Sequence, residues 1–596
     1  MTNMRGQTLI AMYMVVMMLS VLGGSFLSKG VAVNRHGQIQ QLDAETFYLA
    51  QGGLEDAVTM LMDDISNFDV DANAPCHPDT DADGDCQPDI ATETDVLVTA
   101  LCEASAACPN SPFPAGSNPR AYSWAVEAED TERVVVDPDG TRIFVKNYHV
   151  TTRAPHPTNP GFTTTLHQVV ARRLVYTFQH AVFYDDDLEF LPGPDATLSG
   201  RVHSNHDIYL GTHNTLTIDS EYLRSAGGIF NRRKDSSSAM LGDVRIKEIG
   251  TGDLELMAGL DSDDATWETE SQTRWGGTVR SSVHGVTALS VPAVGTTQPG
   301  GFYDSHAGLR VVNGSLSKGD GTAVIECAAA TVNAGNQATC VPPGTVTTNP
   351  TSGAGLFYDN REGQVVKMTN IDVKRLGGYY DGNSDGVLDP PGSAGNPYAS
   401  QLPSNGLVYA TRDDATGGQE PGIRLHNGSV INRAGGLTVV SNDPVYIQGD
   451  YNTVNKKPSA VIADAMNMLS SGWSDANSWN AGTSAPKPLS SRIASTTTVN
   501  AAFIAGIETT TSGNYNGGLE NYPRFHEDWT NKYMNIRGSF VALWNSQIGT
   551  GNWAYGGYYY KAPKRNWDYD SDFSTGPMPP FTPWAVEAVR GAWWRE

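Results

Sequence analysis

The chain has 596 residues, with 65 acidic against 40 basic side chains and a formal charge of −25. That length leaves room for several domains and a large core. The acidic balance disfavours nucleic acid and anionic membrane surfaces as partners and suits an extracytoplasmic surface and cations. Gly is frequent (62 residues) and Asn, Ser and Thr are abundant, so turns and β-structure are expected, with few strongly helical stretches after residue 110.

The first element is "GQTLIAMYMVVMMLSVLGGSFLSKG", residues 6 to 30. Its uncharged run from Thr8 to Phe26 or Leu27 is close to the ~20 residues a helix needs to cross a hydrocarbon core. A secretory signal has a shorter apolar region and an A-x-A-like cleavage site, which is missing here. From Asn34 to Phe68 the pattern becomes amphipathic. Ile39, Leu42, Leu49, Leu54, Val58, Leu61 and Ile65 recur mostly at three- to four-residue steps, with two turns between 42 and 49. A helix of about 60 residues would be a rod of about 90 Å, with Gly23, Gly24, Gly30, Gly37, Gly52 and Gly53 as its expected weak points. Arg5 on one side of the apolar run places residues 1–6 in the cytoplasm; Lys29 and Arg35 weaken that signal without reversing it.

A short leader ending in Gly, then a polar residue and an apolar helix, resembles the layout of type IV pilins and pseudopilins. "RGQTLIAMYMVV" resembles their processing site, which implies a scissile bond after Gly6 and Gln7 as the new N-terminus. "ETFYLAQGGLEDAV" (Glu45 to Val58) is similar to the second signature of PilX-type N-terminal regions. Ordinary pilins carry Glu at the fifth mature position, and here it is Ala11. PilX-type proteins and the K pseudopilin of type II secretion also tend to lack that carboxylate, which in the family neutralises a neighbour's N-terminal amine. The resemblance therefore implies a filament tip or a sparse minor component. It also implies other pilin-like subunits, a prepilin peptidase and the inner membrane as partners. The alternative is a generic anchor that is never processed.

Residues 69–112 read as a loop-rich insert with four cysteines and a carboxylate cluster. Six cysteines fall in three near pairs, Cys76 and Cys86, Cys102 and Cys108, Cys327 and Cys340. None has zinc-site CxxC spacing, and an even count in an exported chain favours disulfides. Local pairing within each couple is expected, although six cysteines allow fifteen connectivities. "DTDADGDCQPD" sets Asp79, Asp81, Asp83 and Asp85 at alternate positions around Gly84, followed by Asp89. Calcium takes six to eight oxygens, and such crowding supplies them. Position 12 of an EF-hand count is Ile90, so the stretch more closely resembles thrombospondin type 3 repeats. The alternative is a solvated acidic loop. "DGNSDGVLD" is a second candidate: Asp381, Asn383, Asp385, the Val387 carbonyl and Asp389 occupy positions 1, 3, 5, 7 and 9, with Gly386 at the turn. It resembles the calcium loop of dockerins, with Gly392 at position 12, so a distant acid must complete it.

Residues 113–180 read as the small β-sheet of a pilin-like head, with an Asp-Gly hairpin turn at Asp139 and Gly140. From 181 to 520 short β-runs alternate with Gly, Asn and Asp, which suggests a sandwich or a parallel β-solenoid. "SGRVHSN" and "VYIQGDY" favour the solenoid, though no strict repeat length is visible. "SAVIADAMNMLSSGW" suits a short helix or a buried strand. Residues 521–596 hold more than half of the tryptophans and read as a cap on the solenoid end or as a binding platform. The expected fold is thus mainly β: residues 7–68 form a long α-helix, transmembrane then amphipathic, after a leader at 1–6, with a small α+β head and a parallel β-solenoid behind it.

His203, His206 and His213 cluster in "RVHSNHDIYLGTH" as possible metal ligands, or as plain turn residues. Glu527 and Asp528, near Arg524 and His526, offer acid/base groups, but neighbours on a strand face opposite ways. No G-x-S-x-G, phosphate loop or H-E-x-x-H occurs. The leading expectation is a non-enzymatic minor-pilin-like subunit, membrane-anchored, with an extracytoplasmic head for display or adhesion at the cell surface or on a pilus. The alternatives are a solenoid polysaccharide-active enzyme and a tethered adhesin that never enters a filament.

Overall fold

The computed structural model describes residues 4–63, 122–128, 133–136, 141–156, 159–480, 482, 485–551, 553 and 559–596. The cluster from Asp79 to Asp89 and the cysteines 76, 86, 102 and 108 lie outside these residues.

Helix α1 (Met4–Asp63) runs unbroken through the six glycines expected to weaken it, Gly23 to Gly53. Residues 11–41 are exposed throughout. From residue 42 one face docks on a five-stranded sheet formed by β1 (Ser123–Ala128), β2 (Arg133–Val136), β3 (Arg142–His156), β4 (Asn159–Tyr176) and the C-terminal strand Trp584–Arg595. The whole sheet is antiparallel, with the C-terminal strand paired to β4 from Trp584↔Tyr176 to Arg595↔Leu166. The head sheet therefore draws on both ends of the sequence, and the aromatic-rich stretch from 521 is not an end cap. Trp584, Trp593 and Trp594 belong to this strand, whereas Phe540–Ala542 lies inside the long sheet described next.

Between β4 and the C-terminal strand the chain forms three-sided coils stacked in parallel. On the first side, Val182–Tyr184, Val202–Ser204, Leu223–Ser225 and Val279–Arg280 pair in order. The second side stacks Leu188–Phe190, Ile208–Leu210 and Ile229–Phe230. The third stacks Ala196–Ser199, Thr215–Asp219 and Asp243–Lys247. Val182, Val202 and Leu223 sit above one another at intervals of 20 and 21 residues, a spacing hidden in the sequence because only the inward positions and one corner repeat. That corner is a ladder. Asp187 Oδ1 accepts from the Asp207 N–H at 2.9 Å, and Asp207 Oδ1 accepts from the Gly228 N–H at 2.7 Å.

The stacking order is not the chain order. After residue 285 the chain crosses to the far end, restarts at Leu309–Val312, and stacks back through Leu407–Thr411, Leu437–Val440, Ser459–Ala463, Ala502–Ala505 and Phe540–Ala542. The last of these pairs with Val182–Tyr184, the first coil. With Ser315–Lys318 and Ala323–Glu326 added antiparallel beyond Leu309–Val312, and Cys340–Val341 parallel to the last of these, one thirteen-stranded sheet results. "SAVIADAMNML" is strand on two sides, Ser459–Ala463 and Met466–Leu469. Val182, Val202, Ile208, Leu216, Val439 and Val461 face inward and are fully buried or nearly so, each worth about 1.5–3 kcal/mol of apolar burial. Asn427, Asn452 and Asn455 take positive φ at corners, where Asn tolerates the left-handed region better than other side chains. Cys327 and Cys340 form a disulfide, as the local-pairing expectation required.

Candidate functional site: the N-terminal helix and the head surface

The docked half of α1 follows from its 3.6-residue period. Ala50, Leu54, Ala57, Val58 and Leu61 are buried against Tyr122, Tyr148, Val150, Ala154, Leu166 and Val170. Gly53 is not a weak point here but a point of close approach. A Cβ at Gly53 would lie 2.5 Å from Thr152 Cγ2 and 2.7 Å from Tyr122 Cδ2, whereas one at Gly52 would meet nothing closer than 3.9 Å. Polar contacts fix the docking at the rim. His156 Nε2 lies 2.6 Å from Glu45 Oε2, and the Thr46 and Thr164 hydroxyls are 2.8 Å apart. From the C-terminal strand, Arg590 pairs with Glu55 and Arg595 with Asp43. Phe47 packs beside Trp593 with ring centroids 6.3 Å apart. Sequence reasoning found the helical face but not these partners, of which Arg590, Trp593 and Arg595 lie more than 500 residues away.

The expected processing positions, Gly6 and Gln7, fall in the first turns of α1. Ala11 and the residues that follow it are exposed. Within α1 a stretch from Ala11 is long and apolar enough to cross a membrane by length and composition.

The loop at Asp381 is closed at its base by a two-way backbone pair between Tyr380 and Asp389, both bonds 3.0 Å. Its acidic side chains turn inward. Asp381 accepts from the N–H groups of Asp385 (3.1 Å) and Gly386 (3.0 Å), Asn383 Oδ1 from Asp385 (3.0 Å), and Asp385 Oδ1 from Val387 (2.8 Å). Gly386 has φ +86°, the left-handed position such a turn needs. The side-chain oxygens at positions 1, 3 and 5 are thus gathered in one loop, a donor set of the hard oxygen type that calcium prefers.

The three histidines of "RVHSNHDIYLGTH" do not converge. His203 is buried, 3.0 Å from Asn205 Oδ1, and burial pushes its pKa down to about 4. His206 instead stands with Asp186 and Asp187, one ligand atom of each within 4.8 Å of the others. Lys234 already neutralises Asp187 at 2.5 Å. Around residue 524 the strand alternation holds. Arg524 pairs with Glu362 and His526 lies 3.6 Å from Asp359 on the outer side of the coil. Glu527 accepts from the Ser470 N–H and hydroxyl at 2.6 and 2.7 Å, and Asp528 pairs with Lys561 at 2.8 Å. Each group is committed to a different structural partner, so no acid/base pair forms.

Where the last coil meets the first, a small polar cavity is lined by Tyr184, Asp187, Glu189, Arg361, Glu508 and Arg524. It has room for one water. Burial pushes Glu189 up to about 7, and nearby Glu520 likewise to about 7. A wider groove of about 940 Å³ lies at the far end, between Leu309, Lys318, Gln401, Arg433, Met578 and Phe581.

The described residues define a chain with one long N-terminal helix, apolar and exposed in its outer half, followed by a mainly β head. No family model matches it, and no curated protein does. Among solved structures, the competence-associated pilin ComZ from Thermus thermophilus aligns over 93% of this chain and 97% of its own length, at 10% identity and a TM-score of 0.22. So loose a superposition carries no argument about function.

Proposed function

We propose that this chain is a minor-pilin-like subunit of a type IV pilus or a related secretion filament. In this reading residues 8–27 anchor it in the inner membrane before assembly, and the large β head is displayed outside for adhesion or surface presentation. The observation that carries the reading is the division of α1. One continuous 60-residue helix is exposed and apolar in its outer half and locked to an antiparallel sheet in its inner half. An apolar helix face of that length is covered either by lipid or by like helices in a filament core. Ala11 in place of Glu at the fifth mature position suits a tip or sparse position, since the subunit brings no carboxylate to neutralise a neighbour's amine. The parallel coils support reading the display region as a β-solenoid. The inward-turned loop from Asp381 to Asp389 supports calcium as its ligand, and the Asp79–Asp89 cluster is proposed as a second calcium loop.

Mass spectrometry of the mature chain tests the central claim. The expected N-terminus is Gln7, and Gly6→Leu should leave the full leader in place. An intact Met1 on wild-type protein recovered from cells with a working prepilin peptidase would refute filament processing.

A further inference from the structure

The face of the head sheet turned away from α1 carries a histidine pair. Register puts it there. β3 and β4 pair Thr151 with His167 and His149 with Val169, and the C-terminal strand sets Trp594 opposite His167. Side chains alternate along a strand. Tyr148, Val150 and Leu166 point toward the helix, so His149, Thr151, His167 and Trp594 share the opposite face. His149 Nε2 lies 3.1 Å from His167 Nδ1, and Thr151 Oγ1 is also 3.1 Å from that nitrogen. Across the same ring, the Glu596 side-chain carboxylate lies 3.6 Å from His167 Nε2. The Trp594 indole is stacked at 9° on His167, centroids 5.1 Å apart, and at 25° on His149, centroids 5.2 Å apart.

This arrangement has the parts of an imidazole metal site. A ligating imidazole ordinarily gives its second N–H to a carboxylate, which fixes its tautomer and raises its basicity. The Glu596 carboxylate, 3.6 Å from Nε2, is beyond hydrogen-bond distance and would accept that N–H on closing by a few tenths of an ångström, with the Nδ1 lone pair left facing His149. Two imidazole nitrogens bound at 2.0–2.1 Å to one ion with a near-right angle between them are about 3 Å apart. The two imidazole rings are 29° apart with centroids at 5.2 Å, so their nitrogens now face each other, and a small rotation of the side chains beside the indole brings both lone pairs onto one ion. We propose that His149 Nε2 and His167 Nδ1 chelate a divalent transition-metal ion of the copper, nickel or zinc class, with Glu596 as the outer carboxylate and Thr151 and solvent at the open positions. Copper(II) is the tightest of that class for such donors and is the probe of choice.

The full chain in detergent, stripped with chelator, is titrated with copper(II) and followed by electron paramagnetic resonance. Coupling to two nitrogens is expected at one copper per chain. His149→Gln and His167→Gln should each remove one nitrogen and weaken binding at least tenfold. The Asp186, Asp187 and His206 group supplies a single imidazole, so it cannot give the two-nitrogen signal. Glu596 is 71% exposed, so Glu596→Gln leaves folding alone; it should weaken binding about 10- to 100-fold while keeping two nitrogens. A one-nitrogen spectrum, affinity unchanged in the two His variants, or one copper shared between two chains would overturn the assignment. In each of these cases the pair is only a His–His hydrogen bond on a sheet face.

Discussion

Arg590 and Glu55 are 535 residues apart in sequence and form a two-pronged ion pair, with Nη1 donating to Oε1 at 2.6 Å. One belongs to the C-terminal strand and the other to the N-terminal helix, so the pair closes the head across the whole chain. Both side chains are partly exposed, 40% and 49%, which places the pair in the range of about 0.2–1 kcal/mol. A double-mutant cycle with Arg590→Ala and Glu55→Ala should give a coupling energy in that range, reduced at high salt. A coupling indistinguishable from zero at low salt would show that this ion pair adds nothing to the docking supplied by Phe47–Trp593 packing, Arg595–Asp43 and the pairing with β4.

The adjacent glycines of α1 should respond to alanine with opposite signs. Gly52→Ala meets only an ordinary contact, 3.9 Å from Tyr122 Cε1, and gains helix propensity, so it should stabilise the head by up to about 1 kcal/mol. Gly53→Ala drives a methyl into Thr152 and Tyr122, and overpacking of this kind costs about 1–3 kcal/mol. Thermal melts of the two variants decide it. Equal shifts would mean that α1 does not sit against Tyr122 and Thr152 as described.

Stability should fall between about pH 4.5 and 7. Burial raises Glu189, Glu520 and Glu527 to about 7, whereas an unfolded glutamate ionises near 4.3. Over that interval the folded chain holds protons that the unfolded chain has lost, so rising pH favours unfolding and the effect levels off above about 7. Glu520→Gln keeps the shape without the charge. It should add on the order of 1–3 kcal/mol at pH 8 and almost nothing near pH 4. Denaturant titrations at the two pH values measure this, and a gain independent of pH would refute it.

Calcium should raise the melting temperature through the Asp381 loop. Binding adds RT ln(1 + [L]/Kd), about 2.7 kcal/mol at a hundredfold excess over Kd. Asp381→Ala with Asp385→Ala should remove that loop's share and leave any share from Asp79, Asp81 and Asp83, since distant sites act nearly additively. Calorimetry of the full chain with and without chelator is the measurement. No chelator effect on the wild type would reduce both loops to acidic turns.

The local elements could be read directly from the residues. The uncharged run after Thr8 has the length and composition of a membrane-crossing helix, and the Leu54, Val58, Leu61 spacing marks the face that docks, whereas Ile39 in the same pattern is exposed. The nearness of Cys327 and Cys340 made their pairing the natural expectation, and the short β-runs broken by Gly and Asn marked a mainly β region while leaving sandwich and solenoid open. The alternation rule also separated Glu527 from Asp528 before any partner was known.

The tertiary structure alone decided which distant pieces meet. Short strands carry no label for their neighbours, because parallel pairing is set by backbone hydrogen bonds that any residue but proline can make. So the sequence could not show that Phe540–Ala542 closes on Val182–Tyr184, that the coils after Leu309 stack from the far end back toward the first coil, or that Trp584–Arg595 returns to the head sheet. The docking of α1 on Tyr122 and Thr152 turns Gly53 from a flaw into a contact, and the pairings of the C-terminal strand turn an expected cap into a strand. They also set Trp594 and Glu596 beside His167, because residues 427 or more apart become neighbours only when a sheet puts their strands 4.7–4.9 Å from each other.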